Sequence, residues 1–396
     1  MSYGLQLKFD GYPDIKLSVY YPSIPIGCYY YQSNSVGGSF AFSNRVTTPS
    51  SAIRFGAGCG LCRAQNSSIT IPLYVTGMTV GTTTTTVSFG SSGSIIEPRT
   101  TLAITIMADY SNVLPTSNYG LMLNNSGVES VLNGDTPPMR VVARYSSSIT
   151  IPSKTQSVSY SCPELAAVRS GRSDLAFYVG CTNKNYFFDA KLAPANGRTW
   201  DNGAVIRIVV YPVKPNSSRI RGIEFDGGEA VAGTFGIKVL VAGSANTSAP
   251  TGYGLAVYAK NGGLSLAANN VPVFCGAVGV MSALPSNPDG TVTSTLGAIT
   301  PLPSRVQSMV PLFPVGLFRL DESQARIKWY NENNNPYDCD IHMCVYNNAF
   351  VHVAILRDSL GFGSGNVSNN YVLYGATSYD RSDIRFGVVF DGDYFL

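Results

Sequence analysis

Charge is scarce in this chain: Asp, Glu, Lys and Arg make up 13% of its 396 residues, against about 25% in an average soluble domain. The two signs nearly cancel, leaving +3. There is therefore no basic field of the kind that draws a protein onto nucleic acid, and no nucleic-acid partner is expected. Histidine occurs only as His342 and His352, and tryptophan only as Trp200 and Trp329. Long apolar runs are also missing. With no stretch of about 20 uninterrupted apolar residues, no spanning helix and no membrane insertion are expected. The opening residues MSYGLQLKFD lack the basic start and apolar run of a signal peptide. Synthesis in the cytoplasm without one is the expectation. Close cysteine pairs are few as well. Only Cys59 and Cys62 are spaced Cys-x-x-Cys, and Cys28, Cys162, Cys181, Cys275, Cys339 and Cys344 are scattered. A disulfide-stapled scaffold would be smaller and denser in cysteine, so buried, reduced thiols are expected.

What the chain has in quantity is Gly (40), Pro (23), Tyr (24) and Phe (18), with 44% apolar residues overall. That mixture builds short strands joined by turns around a substantial core. The expected fold is all-β: tandem antiparallel β-sandwich domains with very little helix. Tyr-Gly-Leu recurs at Tyr3–Leu5, Tyr119–Leu121 and Tyr253–Leu255. Each copy is followed by alternating apolar residues, a turn rich in Gly, Asn or Asp, and a second short strand, which predicts a hairpin. The copies are too far apart for a solenoid and read as openings of separate β-domains. The string SSITIP occurs at Ser67–Pro72 and again at Ser147–Pro152, an alternating strand that its Pro would end or mark as an edge. Loop-like segments at 112–118 (NVLPTSN) and 243–252 (GSANTSAPTG) divide the chain into 1–115, 116–250 and 251–396. The first part is the expected anchor and the third the expected distal or interaction domain. Strong strands are expected at 100–108, 176–179, 205–211, 237–242, 343–346, 351–356 and 384–390, with a polar-faced arm at 81–89. One or two helical turns are expected at 163–170, Pro163 sitting in the first turn, and a weaker helix at 321–330.

No motif in the sequence carries catalysis. Cys59 and Cys62 have the spacing of half a zinc site, and Cys339, His342 and Cys344 could add ligands. The halves lie in different parts of the chain, however, and alternate residues of a strand point to opposite faces. No metal and no cofactor are assigned. No nucleophile elbow is present. Asp321 with Glu322, or Asp338 with Asp340, could form a carboxylate pair, but Asp338 and Asp340 sit in Asn-rich, turn-like sequence (NENNNPYDCD), and positions so close on one chain rarely face each other across a substrate. Gly361–Gly365 lacks the Lys-Ser/Thr of a phosphate loop. Asn287–Gly290 reads as a β-turn, not a calcium loop. The catalytic set is therefore empty and the chain is not expected to be an enzyme. Binding candidates are aromatic: Tyr30 within the triplet Tyr29–Tyr31, Trp200 in GRTWDNG and Trp329 in KWYNENNN. Rings on polar loops supply contact area at low entropic cost; equally, each could plug the end of a core.

The Tyr-Gly-Leu hairpin with its Gly11 turn, followed by Ser68-Ile69-Thr70-Ile71-Pro72, resembles the small tail-tip or baseplate-associated proteins of long-tailed bacteriophages. The second copy matches from Tyr119 to Gly127 and from Ser148 to Pro152. The resemblance implies a structural virion protein located in the phage tail, contacting other phage tail proteins through β-domain interfaces and assembling as a homotrimer about the tail axis. It carries no catalytic residues. The alternative is a receptor-binding fibre or spike that recognises a bacterial surface glycan or pilus, and behind it a tail-borne polysaccharide hydrolase.

Overall fold

The computed structural model describes residues 6–16, 23–33, 39–43, 53–56, 62–65, 70–80, 84–91, 97–109, 120–125, 128–133, 138–153, 156–168, 175–183, 185–195, 203–212, 214–215, 225–226, 231–243, 255–258, 264–267, 270–274, 277–281, 308–311, 316–318, 339–346, 349–356, 384–390, 392 and 394–396. Among these the chain is strand-rich, its sheets are almost wholly antiparallel, and the one helical element is the 3-10 helix Pro163–Ala167. The all-β expectation holds for the described residues. The weaker helix expected at 321–330 lies outside them.

All three Tyr-Gly-Leu copies lead into antiparallel hairpins. Gln6–Leu7 pairs with Ile15–Lys16, Gly120–Asn125 with Val128–Asn133, and Ala256–Tyr258 with Leu264–Ala267. In the first, the Tyr12 N–H donates to the Phe9 carbonyl at 3.1 Å. Gly11 stands at the third position of that turn with φ of 77°, where a side chain would be strained.

Seven strands, from Ser23–Ser33 to Glu97–Asp109, form one sheet. It contains Thr70–Pro72 of the first SSITIP, where the structure corrects the sequence reading. The strand Thr70–Val80 runs straight through Pro72, while in the second copy Arg140–Ile151 stops just before Pro152. Pro72 lies where pairing changes hands: Thr70–Pro72 pair with Arg63–Gln65, and from Leu73 onward the strand pairs with Thr84–Ser91. A residue lacking an N–H is tolerated at such a place, where one ladder ends.

A second sheet has six strands, ordered Arg140–Ile151, Gly233–Gly243, Ala176–Cys181, Ser308–Pro311, Ile384–Phe390 and Ala277–Met281. Three come from 116–250 and three from 251–396, so one sheet crosses the boundary expected at 250. A five-stranded sheet crosses it too, through parallel pairing of Phe225–Asp226 with Ala349–Leu356. Val158–Tyr160, Ala204–Pro212 and Tyr186–Pro194 make a separate three-stranded sheet.

The core is built around Gly233–Gly243. Its first half alternates, with Phe235 and Ile237 buried between more accessible residues, and from Val239 onward every residue is buried. Alternation marks a strand covered on one face, and continuous burial one covered on both. On the face of Phe235, Ile237 and Val239 lies the three-stranded sheet: the Tyr186 and Phe235 rings meet edge-on at 5.1 Å, and Ile206, Ile208 and Val210 share the same core. That core also takes in Leu7 from the first hairpin, Val273 and Phe274, and Tyr394 near the end of the chain. Residues from all three expected parts therefore bury one another.

Candidate functional site

Arg144 is where these parts converge. It lies on Arg140–Ile151 in register with Leu240, on the face that Leu240 shares. One guanidinium nitrogen donates to the Tyr394 carbonyl and another to the Gly11 carbonyl. Its carbon stands 4.0 Å from the centre of the Tyr12 ring, a cation–π distance. The planar fork suits this task, since one rigid group reaches two acceptors and stacks on a ring at once. The first hairpin is closed by its own side-chain bond, from Gln6 to Asp14.

Tyr394 completes the clasp from the other side. It is fully buried, and its hydroxyl accepts from the Phe274 N–H at 2.7 Å and donates to the Pro272 carbonyl at 3.1 Å. The segment it holds is itself bonded to the sheet: Val141 N–H donates to the Val271 carbonyl at 2.8 Å and Val273 N–H to the Met139 carbonyl at 2.7 Å. Next along the chain, the Phe395 ring lies 5.1 Å from the Lys238 ammonium.

A second polar cluster ties the other face of Arg140–Ile151 to the 3-10 helix. The Tyr145 hydroxyl donates to Glu164, 2.8 Å from one carboxylate oxygen and 2.7 Å from the other. This bond holds the Tyr145 pKa above the ordinary phenol value, with burial adding to it. Burial pushes the Cys162 thiol up to about 12, and the negative charge of Glu164 reinforces the shift. The Tyr160 phenol is also raised, chiefly by burial. Cys181 is pushed up to about 11 by burial. Both cysteines are free thiols. A raised thiol pKa is the reverse of what an activated nucleophile needs, so this cluster stitches elements together and offers no reactive sulfur.

The sequence-derived candidates fall elsewhere. Tyr30 lies on Ser23–Ser33 in register with Ala103, and its side chain is outside the described residues, as are Trp200 and Trp329. Asp321, Glu322 and Asp338 are likewise outside them. Asp340 and His342 fall on Cys339–Tyr346, where His342 pairs with Val353 and His352 with Met343, so the two histidines are not register partners. Among the described residues no three of His, Cys, Asp and Glu come together as a metal's ligands would, and no helix is long and apolar enough to cross a membrane. Sequence reasoning missed Arg144, Tyr145, Glu164 and Tyr394. The one local signal was an arginine set among apolar residues in a strand (RVVARY), which calls for a partner at close range.

No protein-family model, no curated protein and no solved structure matches this chain.

Proposed function

We propose that this chain is a structural virion protein of a bacteriophage tail tip or baseplate, built of antiparallel β-sandwich layers that share strands across the expected boundaries, assembling as a homotrimer through β-domain interfaces and contacting other tail proteins. The observation that supports the reading is the threefold recurrence of the Tyr-Gly-Leu opening together with an antiparallel hairpin behind each copy. Low charge and abundant Tyr suit surfaces that stay buried against neighbours. Light scattering coupled to size exclusion tests it: a mass of three chains of 42.2 kDa, or of a multiple of three where trimers associate further, is expected, and a monomer or a plain dimer at all concentrations overturns the trimer.

The receptor-binding alternative has one observation in its favour. Leu255 and Tyr258 stand exposed at the third hairpin, in the part expected to be distal. Labelled protein that sediments with host cells, and loses that property on Tyr258→Ala, would favour it.

A further inference from the structure

Arg140–Ile151 is the edge of the six-stranded sheet, and Gly233–Gly243 is its one partner strand among the described residues. Its outer side is covered at the start, where the 271–273 segment bonds antiparallel to it at Met139 and Val141. That cover ends at the bulge between Val141 and Ala143. Beyond the bulge the strand runs in regular register from Ala143 to Ile151 and is stopped by Pro152, which has no N–H to offer.

Exposure along this run is informative. A strand with one face on a core alternates between buried and exposed, yet Ser146, Ser147 and Ser148 are exposed in succession. Three in a row marks a side of the strand that no described strand covers there, Ser147 keeping a side-chain hydrogen bond to Tyr160. The usual guards stand only at its ends, in Arg144, the bulge before Ala143 and Pro152; between Tyr145 and Ile151 there is no charge, no Pro and no bulge, and such a stretch of edge is a template for another strand.

The run is also self-complementary. Its midpoint is Ser147, and antiparallel pairing about a two-fold axis through that residue sets Ser146 opposite Ser148, Tyr145 opposite Ile149, Arg144 opposite Thr150 and Ala143 opposite Ile151. Residues of equal parity always meet, so core-facing side chains lie beside core-facing ones across the axis. An aromatic faces a β-branched residue and no like charges oppose. A two-fold contact of this kind uses the same patch twice.

We infer that Ala143–Ile151 is a self-association edge, pairing antiparallel with the same segment of a second copy of this chain about Ser147, so that the sheet continues from one subunit into the next. This inference concerns contact between copies and holds or fails apart from the virion reading. A three-fold axis alone gives three chains and a two-fold edge alone gives two. Both together give six. Sedimentation of the full chain at micromolar concentration separates these cases. Two or six chains are expected; a monomer or a plain trimer overturns the edge pairing, while a trimer leaves the tail-axis reading standing.

Charge placement then tests the register. Ser146 and Ser148 lie on the exposed face, away from the core. Ser146→Glu with Ser148→Glu sets like charges opposite each other twice, and weakens the two-fold contact at least tenfold. Ser146→Glu with Ser148→Lys sets opposite charges there, and restores it. If both variants remain folded by circular dichroism and associate equally, the register is wrong and the inference falls. If the doubly acidic variant fails to fold, the Glu/Lys variant decides: association as tight as the parent's supports the pairing, and loss of it refutes it.

Discussion

Replacing Arg144 with Met keeps the aliphatic stem and removes the guanidinium, which isolates the clasp from simple packing loss. Two charge-assisted hydrogen bonds disappear, one to the part-buried Tyr394 carbonyl and one to the exposed Gly11 carbonyl. Water replaces the second at little cost, whereas the first leaves an acceptor short of a partner. Charged hydrogen bonds contribute roughly 1.5–3 kcal/mol and an exposed cation–π contact roughly 0.5–1 kcal/mol. Allowing for resolvation of Gly11, the local loss is about 2–4 kcal/mol. Global unfolding is a poor reporter in a chain of this size, since two-state behaviour is not assured. Hydrogen exchange is the better assay because it reads the opening of each segment. Amides of residues 6–16 and 394–396 are expected to exchange roughly 30- to 1,000-fold faster in the variant, the equivalent of that energy. Amides of Gly233–Gly243 on the Phe235 face should change far less. Arg144→Lys keeps the charge but cannot span both carbonyls, and should fall between. A change below about threefold at both segments would refute the clasp.

Other consequences are more local. Tyr394→Phe deletes a hydroxyl that both accepts from Phe274 and donates to Pro272 in a fully buried place, and should cost about 2–4 kcal/mol, read as faster hydrogen exchange at residues 270–274 and 394–396. Gly203 has φ of 87°, and a Cβ there would lie 3.3 Å from the Ala166 Cα on the 3-10 helix; Gly203→Ala should destabilise by about 1–3 kcal/mol, read as a lowered melting temperature. Cys162 titrates near 9.0 when free and at about 12 in the fold, so the folded state holds its proton more tightly than the unfolded one. Its contribution to stability is complete below pH 9 and is lost as pH rises toward 12. Cys162→Ala should flatten the alkaline limb of a stability–pH profile, and the native thiol should resist alkylation at pH 8.

Strand positions were legible because they are local. Ile384–Phe390 was expected and found with the same bounds. Ala176–Cys181, Ala204–Pro212 and Gly233–Gly243 each enclose the segment expected from their Val, Ile and aromatic content. The Pro163 turn was also readable, from Pro at the first helical position. Pairing partners were not legible. Arg144 bonds to residues 133 and 250 positions away, and no periodicity encodes such a distance. The two SSITIP copies make the same point in reverse. Identical residues end a strand before Pro152 and continue through Pro72, because the neighbouring strands differ. Tyr394 was missed because a buried hydroxyl shows itself only when the backbone groups that it satisfies come from elsewhere in the chain.

Hairpins and sheets therefore follow different rules in this chain. A hairpin needs only its own residues and a turn, so it recurs wherever Tyr-Gly-Leu does. The six-stranded sheet needs strands from both sides of residue 250, and its buried faces need Leu7, Phe274, Val273 and Tyr394 from outside 116–250. A recombinant fragment of 116–250 alone tests whether that dependence is real. It lacks those four side chains, each worth roughly 1.5–3 kcal/mol when fully buried, so the deficit is about 6–12 kcal/mol. That is as large as the whole stability of a typical domain, about 5–15 kcal/mol. The fragment is expected to lack a cooperative thermal transition and to bind a hydrophobic dye. The intact chain, which supplies them, should show a cooperative transition and leave the dye unbound. A fragment that melts cooperatively, with Tyr178 and Leu240 protected from exchange, would show that 116–250 carries its own core, and the shared core described above would be refuted.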